Sequence, residues 1–300
     1  MSDYFNNNFP DVTDLKRHAK KRIPKFSFNY FEGGCMEGVG VQRNRADIEA
    51  VQLRNELLKP FSGSDLSVEL LGHKYSAPFG IAPAGLQGLT WPKSPEILAK
   101  TAAIKNIPYI LSTVSSSSLE RIAEVSEGKA WFQLYNPTGN VIRQALLSRI
   151  TAAQYRVLVI TVDMLTFGLR PRDIRNSLAM PPKMTISNIL QMLSCPQWLM
   201  ATALNEVPEI ETLKPYIPKG MPTDQLDAGE SPVKPLQRIS KKYCNKIKIF
   251  MDSRLQSGTY IASTLASGAD FTFLGHSFIY GVGALGNEGG IHTINLPHCS

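Results

Sequence analysis

The sequence predicts an α/β fold built on a parallel sheet. Three observations carry this. From Pro78 onward, short apolar runs alternate with helix-like stretches. The runs lack the in–out alternation of a strand with one wet face, so the strands are covered on both sides. The spacing leaves one crossover helix between successive runs, and such crossovers are right-handed.

Taken in order, residues 1–77 are more polar and read as a helical N-terminal extension. Val12 to Lys20 is a short basic helix. Pro24 starts PKFSFNYFEGG, whose aromatic spacing runs until Gly33 and Gly34 stop it. Leu66–Leu71 and His73–Ser76 form a hairpin about Gly72. The first core strand is Phe79–Ala82, followed by a helix from Pro95 to Lys105. Tyr109–Leu111 is the next strand and Leu119–Val125 the next helix. Ala130–Leu134 is a strand, Val141–Ile150 a helix, and Val157–Val162 (VLVITV) the clearest strand of all. The rhythm then fails. Ile186–Leu204 is apolar and helical, and Pro208–Gly229 has no strand signal. Alternation resumes with the strand Ile247–Met251, a helix over Thr259–Ser267 and the strand Phe271–Leu274, six strands in all. The glycine-rich GVGALG, Gly281 to Gly286, matches a dinucleotide fingerprint formally. No helix with an acidic residue at the required offset is expected after it, so a flexible loop is the better reading.

Composition bounds the function. The chain has 300 residues, 43% hydrophobic and 19% charged, which excludes disordered, collagen-like and coiled-coil classes. The net charge of +7 allows anionic small molecules, membrane surfaces or nucleic acid as partners. No aromatic–basic nucleic-acid motif supports the last, and the basic cluster Lys16–Arg22 reads as a solvated helix face or an anion contact. Cys35, Cys195, Cys244 and Cys299 form no CxxC pair, so no metal site is expected. The start, MSDYFNNNFPD, shows no secretory signal, and no apolar run approaches the ~18 residues of a membrane span, so the expected setting is cytoplasmic.

In parallel α/β architectures, function gathers where the strands end. The residues there are Pro83-Ala84-Gly85, Ser112-Thr113, Gln133-Leu134-Tyr135, Thr161-Val162-Asp163, Asp252-Ser253-Arg254 and Gly275-His276. Helix capping explains any one of them. Ligand-type groups at every strand end in turn favour a binding rim. Of five histidines, only His276 directly follows a strand.

These strand-end residues, read with FNYFEGG, PFGIAPAGLQGLTWPK, LSTVSS, WFQLY, TVD and RPRDIRN, resemble the FMN-dependent 2-hydroxy acid dehydrogenases and oxidases. The likeness is greatest to the (S)-mandelate and L-lactate dehydrogenase branch. It runs from about Ile23 to Asn176, resumes at about Gln225 and continues through DSRLQSGTYIASTLASGADFTFLGHSFIYGVGALG. The resemblance implies a TIM (β/α)8-type barrel with FMN at the C-terminal rim, here incomplete, within a single domain whose residues 78–300 form the barrel part. It implies that Pro83, Ala84 and Gly85 pass beneath the flavin ring. Ser112, Gln133 and Thr161 would bond its pyrimidine edge, and Asp252 the ribityl hydroxyls. Ser253, Arg254, Gly275 and His276 would lie at the phosphate. Tyr30 and Tyr135 would touch the substrate carboxylate or hydroxyl, Arg170 would pair with the carboxylate, and Asp163 would support a catalytic histidine.

The departures carry their own expectations. Where the family has its fifth and sixth strands, only Met221-Pro222-Thr223-Asp224 stands before Gln225. The family's catalytic histidine, a flavin-facing lysine and a second substrate arginine would be lost with that segment. Two phosphate-facing arginines read Gln256 and His276, Arg254 stands where a glycine is usual, and the family's last helix is expected to be absent. Val157–Val162 and Ile247–Met251 would be open barrel edges unless they pair with each other or with a strand pair from Pro208–Gly229. The expected activity is an impaired, FMN-dependent oxidation of a small L-2-hydroxy acid to the 2-oxo acid, with FMN held weakly. The alternative is a catalytically inactive homologue, a pseudoenzyme or deletion product. Ile186–Leu204 occupies a membrane-attachment position of the mandelate branch, which leaves a location peripheral to the inner face of the cell membrane open, as is a homo-oligomer.

Overall fold

The computed structural model describes residues 5–33, 38–54, 63, 65–137, 139–162, 171–176, 185–205, 209–216, 232–243, 246–252 and 254–299. Its first helix, α1 (Val12–Arg22), is capped by the Asp11 carboxylate, which accepts from the Asp14 N–H at 2.8 Å, and it ends in Lys20, Lys21 and Arg22. Both ends thus carry the charge that the helix dipole favours. α2 (Lys25–Glu32) begins after Pro24 and buries Phe26 and Phe28. α3 (Val39–Glu49) follows. The hairpin β1 (Val68–Leu70) and β2 (His73–Tyr75) turns through Leu71 and Gly72, both at positive φ.

The core alternation is then β3 (Phe79–Ile81), α4 (Ser94–Lys105), β4 (Ile110–Ser112), α5 (Leu119–Val125), β5 (Trp131–Tyr135), α6 (Asn140–Ala152) and β6 (Leu158–Thr161). Next come α7 (Pro171–Arg175), α8 (Ile186–Leu193), α9 (Pro196–Ala203) and α10 (Val233–Tyr243). The chain closes with β7 (Phe250–Asp252), α11 (Gly258–Ala266), β8 (Phe271–Leu274), α12 (His276–Leu285) and α13 (Gly289–Cys299).

β7, β8 and β3 form one parallel sheet and β4, β5 and β6 another, joined by a bridge between Ile81 and Tyr109. Together they make a curved row in the order β7-β8-β3-β4-β5-β6. Its concave side holds Ala82, Ile110, Trp131, Phe271 and Phe273, with Leu70 and Tyr75 of the hairpin as the floor. Gly80 lies where a Cβ would meet the Phe273 ring at 2.8 Å and Pro108 at 2.6 Å, so no side chain fits. The convex side carries Phe79, Ile81, Leu111, Phe132, Leu134, Met251 and Leu274 under the helices. Fully burying each such side chain contributes about 1.5–3 kcal/mol. This is a TIM-type (β/α) barrel whose ring stays open between β6 and β7 among the described residues. The expected edges are therefore exposed: Leu158 37%, Ile160 53% and Val162 85% on one side, Ile247 56% and Phe250 36% on the other. Closure by Pro208–Gly229 lies largely outside the described residues, and 211–216 form turns.

Three expectations are corrected. Val157–Val162 reads as covered on both faces, yet β6 is half exposed because no neighbour lies beyond it among the described residues. Ile186–Leu204 is two helices, broken where Pro196 removes a backbone donor. Gly281–Gly286 is no flexible loop: its first five residues complete the buried helix α12, and a helix, α13, follows where none was expected. The glycines serve helix packing. A Cβ on Gly281 would lie 2.0 Å from Thr293 Oγ1, and one on Gly283 3.2 Å from Ala19 Cβ.

Candidate functional site

Strand register places three of the sequence-predicted residues in a row. Ser112 at the end of β4 is opposite Gln133 in β5, and Tyr135 is opposite Thr161 at the end of β6. Ser112 Oγ donates to Gln133 Oε1 at 3.2 Å, and Gln133 Nε2 donates to Thr161 Oγ1 at 2.6 Å. The Gln133 amide is thereby oriented by a neighbour on each side. Thr113 reinforces the row: its hydroxyl donates to the Gln133 carbonyl and accepts from the Tyr135 N–H at 3.0 Å. Ser112, Thr113 and Gln133 are buried, so these bonds are made away from competing water.

Pro83, Ala84 and Gly85 follow β3 on the same rim and are half-buried. A Cβ on Gly85 would stand 3.6 Å from the Tyr30 hydroxyl and 2.8 Å from Val114 Cγ2, so only glycine lets the chain pass here. Tyr30, from the distant α2, is thus brought to the end of β3. Its ring meets Phe31 edge-on at 4.8 Å.

Across the opening, Asp252 ends β7. It lies deep in the protein yet keeps solvent-accessible surface, as a carboxyl lining an open interior does. Desolvation, with no hydrogen bond or counter-ion among the described residues to offset it, pushes this carboxyl up to about 7. Gly275 precedes α12 and would carry a Cβ 3.6 Å from Ala82. His276 is half-buried, its Nε2 meets the Phe31 carbonyl at 2.9 Å, and desolvation with nearby Arg254 lowers its pKa to about 4, so it is neutral at pH 7. Arg254 adopts φ 49° and forms an ion pair with Glu32. Asp163, Arg170 and Ser253 lie outside the described residues.

The rim therefore has two unlike halves. One is a neutral hydrogen-bonding row. The other holds a carboxyl and a guanidinium. Sequence reasoning missed Glu32, Tyr280 and Lys16, which hold Arg254 and α2 together; the pairs are separated by up to 248 residues and leave no local signal. The other described histidines are engaged elsewhere. His18 packs on Phe9, His73 meets Asn106 at 3.3 Å beside the hairpin floor, and His292 lies between the Asn6 N–H and the Phe9 carbonyl. Among the described residues no helix is long and apolar enough to cross a membrane, and no group of His, Cys, Asp or Glu is arranged to hold a metal.

Comparison with known proteins agrees with this arrangement. The chain is 30% identical to the L-lactate dehydrogenase of Ectopseudomonas mendocina over 345 aligned positions, covering 95% of this chain and 91% of that protein. It is 30% identical to that of Haemophilus influenzae, over 93% of this chain and 89% of the relative. Among solved structures it is similar to the monotopic membrane protein (S)-mandelate dehydrogenase, with TM-score 0.88, 26% identity, and coverage of 98% and 93%. A soluble mutant of the membrane-associated (S)-mandelate dehydrogenase from Pseudomonas putida gives TM-score 0.79, 28% identity, and coverage of 97% and 93%. The FMN-dependent dehydrogenase family matches residues 19–219 and 223–298, and the chain belongs to that family.

Proposed function

We propose that this chain binds FMN across its rim and an L-2-hydroxy acid above it, and that its oxidation of that acid is strongly impaired. The observation that carries the flavin reading is the Ser112–Gln133–Thr161 row beside the Gly85 passage. A flavin's pyrimidine edge alternates donors and acceptors, which an amide flanked by two hydroxyls can match. Asp252, whose carboxyl has no hydrogen bond or counter-ion among the described residues, suits the ribityl hydroxyls. Pro83, Ala84 and Gly85 would support the ring with backbone. Ser253, Arg254, Gly275 and His276 would face the phosphate. Tyr30 and Tyr135 would orient the substrate, Arg170 would take its carboxylate bidentately, and Asp163 would support a catalytic histidine were one present. Bound FMN would supply the two-electron acceptor.

Impairment follows from the proton. Oxidising a 2-hydroxy acid requires a base for its hydroxyl, and no described histidine is placed at the rim centre. Three observations support loss of the segment that would carry it. The family match breaks between 219 and 223, the alignment with L-lactate dehydrogenase is longer than this chain, and β6 and β7 expose apolar edges. Missing a general base lowers rate by about 10²–10⁴. Purified protein should take up FMN and turn yellow. Under anaerobic L-lactate or (S)-mandelate, its flavin should bleach slower than a complete relative's by that factor. Bleaching at a relative's rate would overturn the impairment, and protein that refuses FMN would overturn the cofactor reading. Holoenzyme that never bleaches favours the inactive-homologue reading.

The same proposal includes a membrane surface. Ile186, Ile189, Leu190 and Leu193 of α8 and Met200 of α9, with Leu204 beyond it, are all exposed, forming an apolar surface on a helical hairpin. The similarity to a monotopic dehydrogenase supports attachment there.

A further inference from the structure

The C-terminal end of α2 is gripped by side chains from three other parts of the chain. Glu32 Oε1 accepts from Lys16 Nζ of α1 at 2.8 Å and faces Arg254 Nη1 at 3.5 Å. Its Oε2 accepts from the Tyr280 hydroxyl of α12. Arg254 Nη2 donates to the Glu32 carbonyl at 2.5 Å, and His276 meets the preceding carbonyl, that of Phe31. The Glu32 and Arg254 side chains keep only 20% and 15% of their accessibility. One carboxylate thus sits where two cations and a phenol converge, at the ends of the last two barrel strands. Loops at that place, with the N-terminus of the following helix, commonly hold phosphate. A carboxylate and a phosphate ask the same partners for the same charge-assisted bonds.

We propose that Glu32 is an internal anion that competes with the flavin phosphate for Lys16, Arg254 and Tyr280, and so sets how tightly this chain prefers FMN over riboflavin. The proposal rests on the flavin reading above. Its physical basis is charge. Lys16 and Arg254 against ionised Glu32 leave one net positive charge. A dianionic phosphate added beside Glu32 turns the cluster negative, whereas with an uncharged residue at position 32 the cluster would be neutral. His276 adds no charge to help. The Arg254 side chain is committed to Glu32, so its guanidinium must be released to serve a phosphate.

The test is calorimetric titration of wild type and Glu32→Gln with FMN and riboflavin, alongside thermal denaturation with inorganic phosphate. Glu32→Gln should bind FMN about tenfold tighter, with riboflavin affinity unchanged. Inorganic phosphate should raise its Tm but not that of wild type, and adding Arg254→Ala should erase both gains. FMN affinity that is unchanged or weaker in Glu32→Gln overturns the proposal. Should that variant misfold, wild type alone decides: an FMN preference over riboflavin of about tenfold or less sustains the proposal, and about a hundredfold or more refutes it. Failure of both proteins to bind either FMN or riboflavin would sink the flavin reading instead, and the phosphate response then decides this one by itself.

Discussion

Asp252 and His276 titrate in opposite senses over one pH range. The Asp252 carboxyl rises from 3.8 to about 7, so between those values the folded chain holds more proton than the unfolded one, and stability falls as pH rises. His276 drops from 6.5 to about 4, so the folded chain holds less, and stability is lost as pH falls through that window. The two slopes oppose each other in the wild type. Asp252→Asn should therefore gain Tm over wild type progressively from pH 4 to 7 and hold the gain above. His276→Gln should compare best with wild type near pH 4 and worst above pH 6.5. Thermal melts of both variants across pH 4–8 check this, and parallel curves would contradict it.

At the scale of elements, α12 and α13 pack closely at Gly281 and Gly289. Gly281→Ala would place a Cβ 2.7 Å from the Gly289 carbonyl, which is backbone and cannot rotate away, so urea denaturation should show a loss of about 1–3 kcal/mol. The α8–α9 hairpin separates attachment from folding. Ile186→Ser, Leu190→Ser and Leu193→Ser together should release protein from anionic vesicles in co-sedimentation with little change in Tm. Trp198→Ala should instead cost about 3–5 kcal/mol, because Trp198 is buried, donates to the Leu89 carbonyl and meets Phe26 edge-on. These elements also mark what was legible. The runs FGIA, AWFQL and FTFL announced β3, β5 and β8 to within a residue, since a strand covered on both faces must be apolar. The Ser112, Gln133 and Thr161 positions followed from the strands β4, β5 and β6. GVGALG misled because closely spaced glycines signal a loop locally, while here Gly281 and Gly283 are small to admit neighbouring helices and Gly286 ends α12 at positive φ. The Glu32–Arg254 pair was invisible, since only folding brings residues 222 apart in sequence into contact.

For the whole molecule, the opening between β6 and β7 governs solubility. Exposed strand edges template pairing with other chains, and apolar side chains beside them strengthen it. Ile160→Lys with Val162→Lys should lower light scattering at micromolar concentration while leaving stability within about 0.5 kcal/mol, because neither side chain is packed. The same opening changes the mechanics. In a closed ring each strand is held from two sides, and bending one seam must strain every other. Here β3 meets β4 through the Ile81–Tyr109 bridge, and no second seam restrains it among the described residues. That bridge, with packing such as Trp131 against Phe273 at 5.7 Å, joins two three-stranded leaves. Ser112, Gln133 and Thr161 ride on one leaf, Asp252, Arg254 and His276 on the other. A ligand reaching from the first group to the second would fasten the leaves, so slowed amide exchange on both together, rather than at the contact residues alone, would be the signature of its binding.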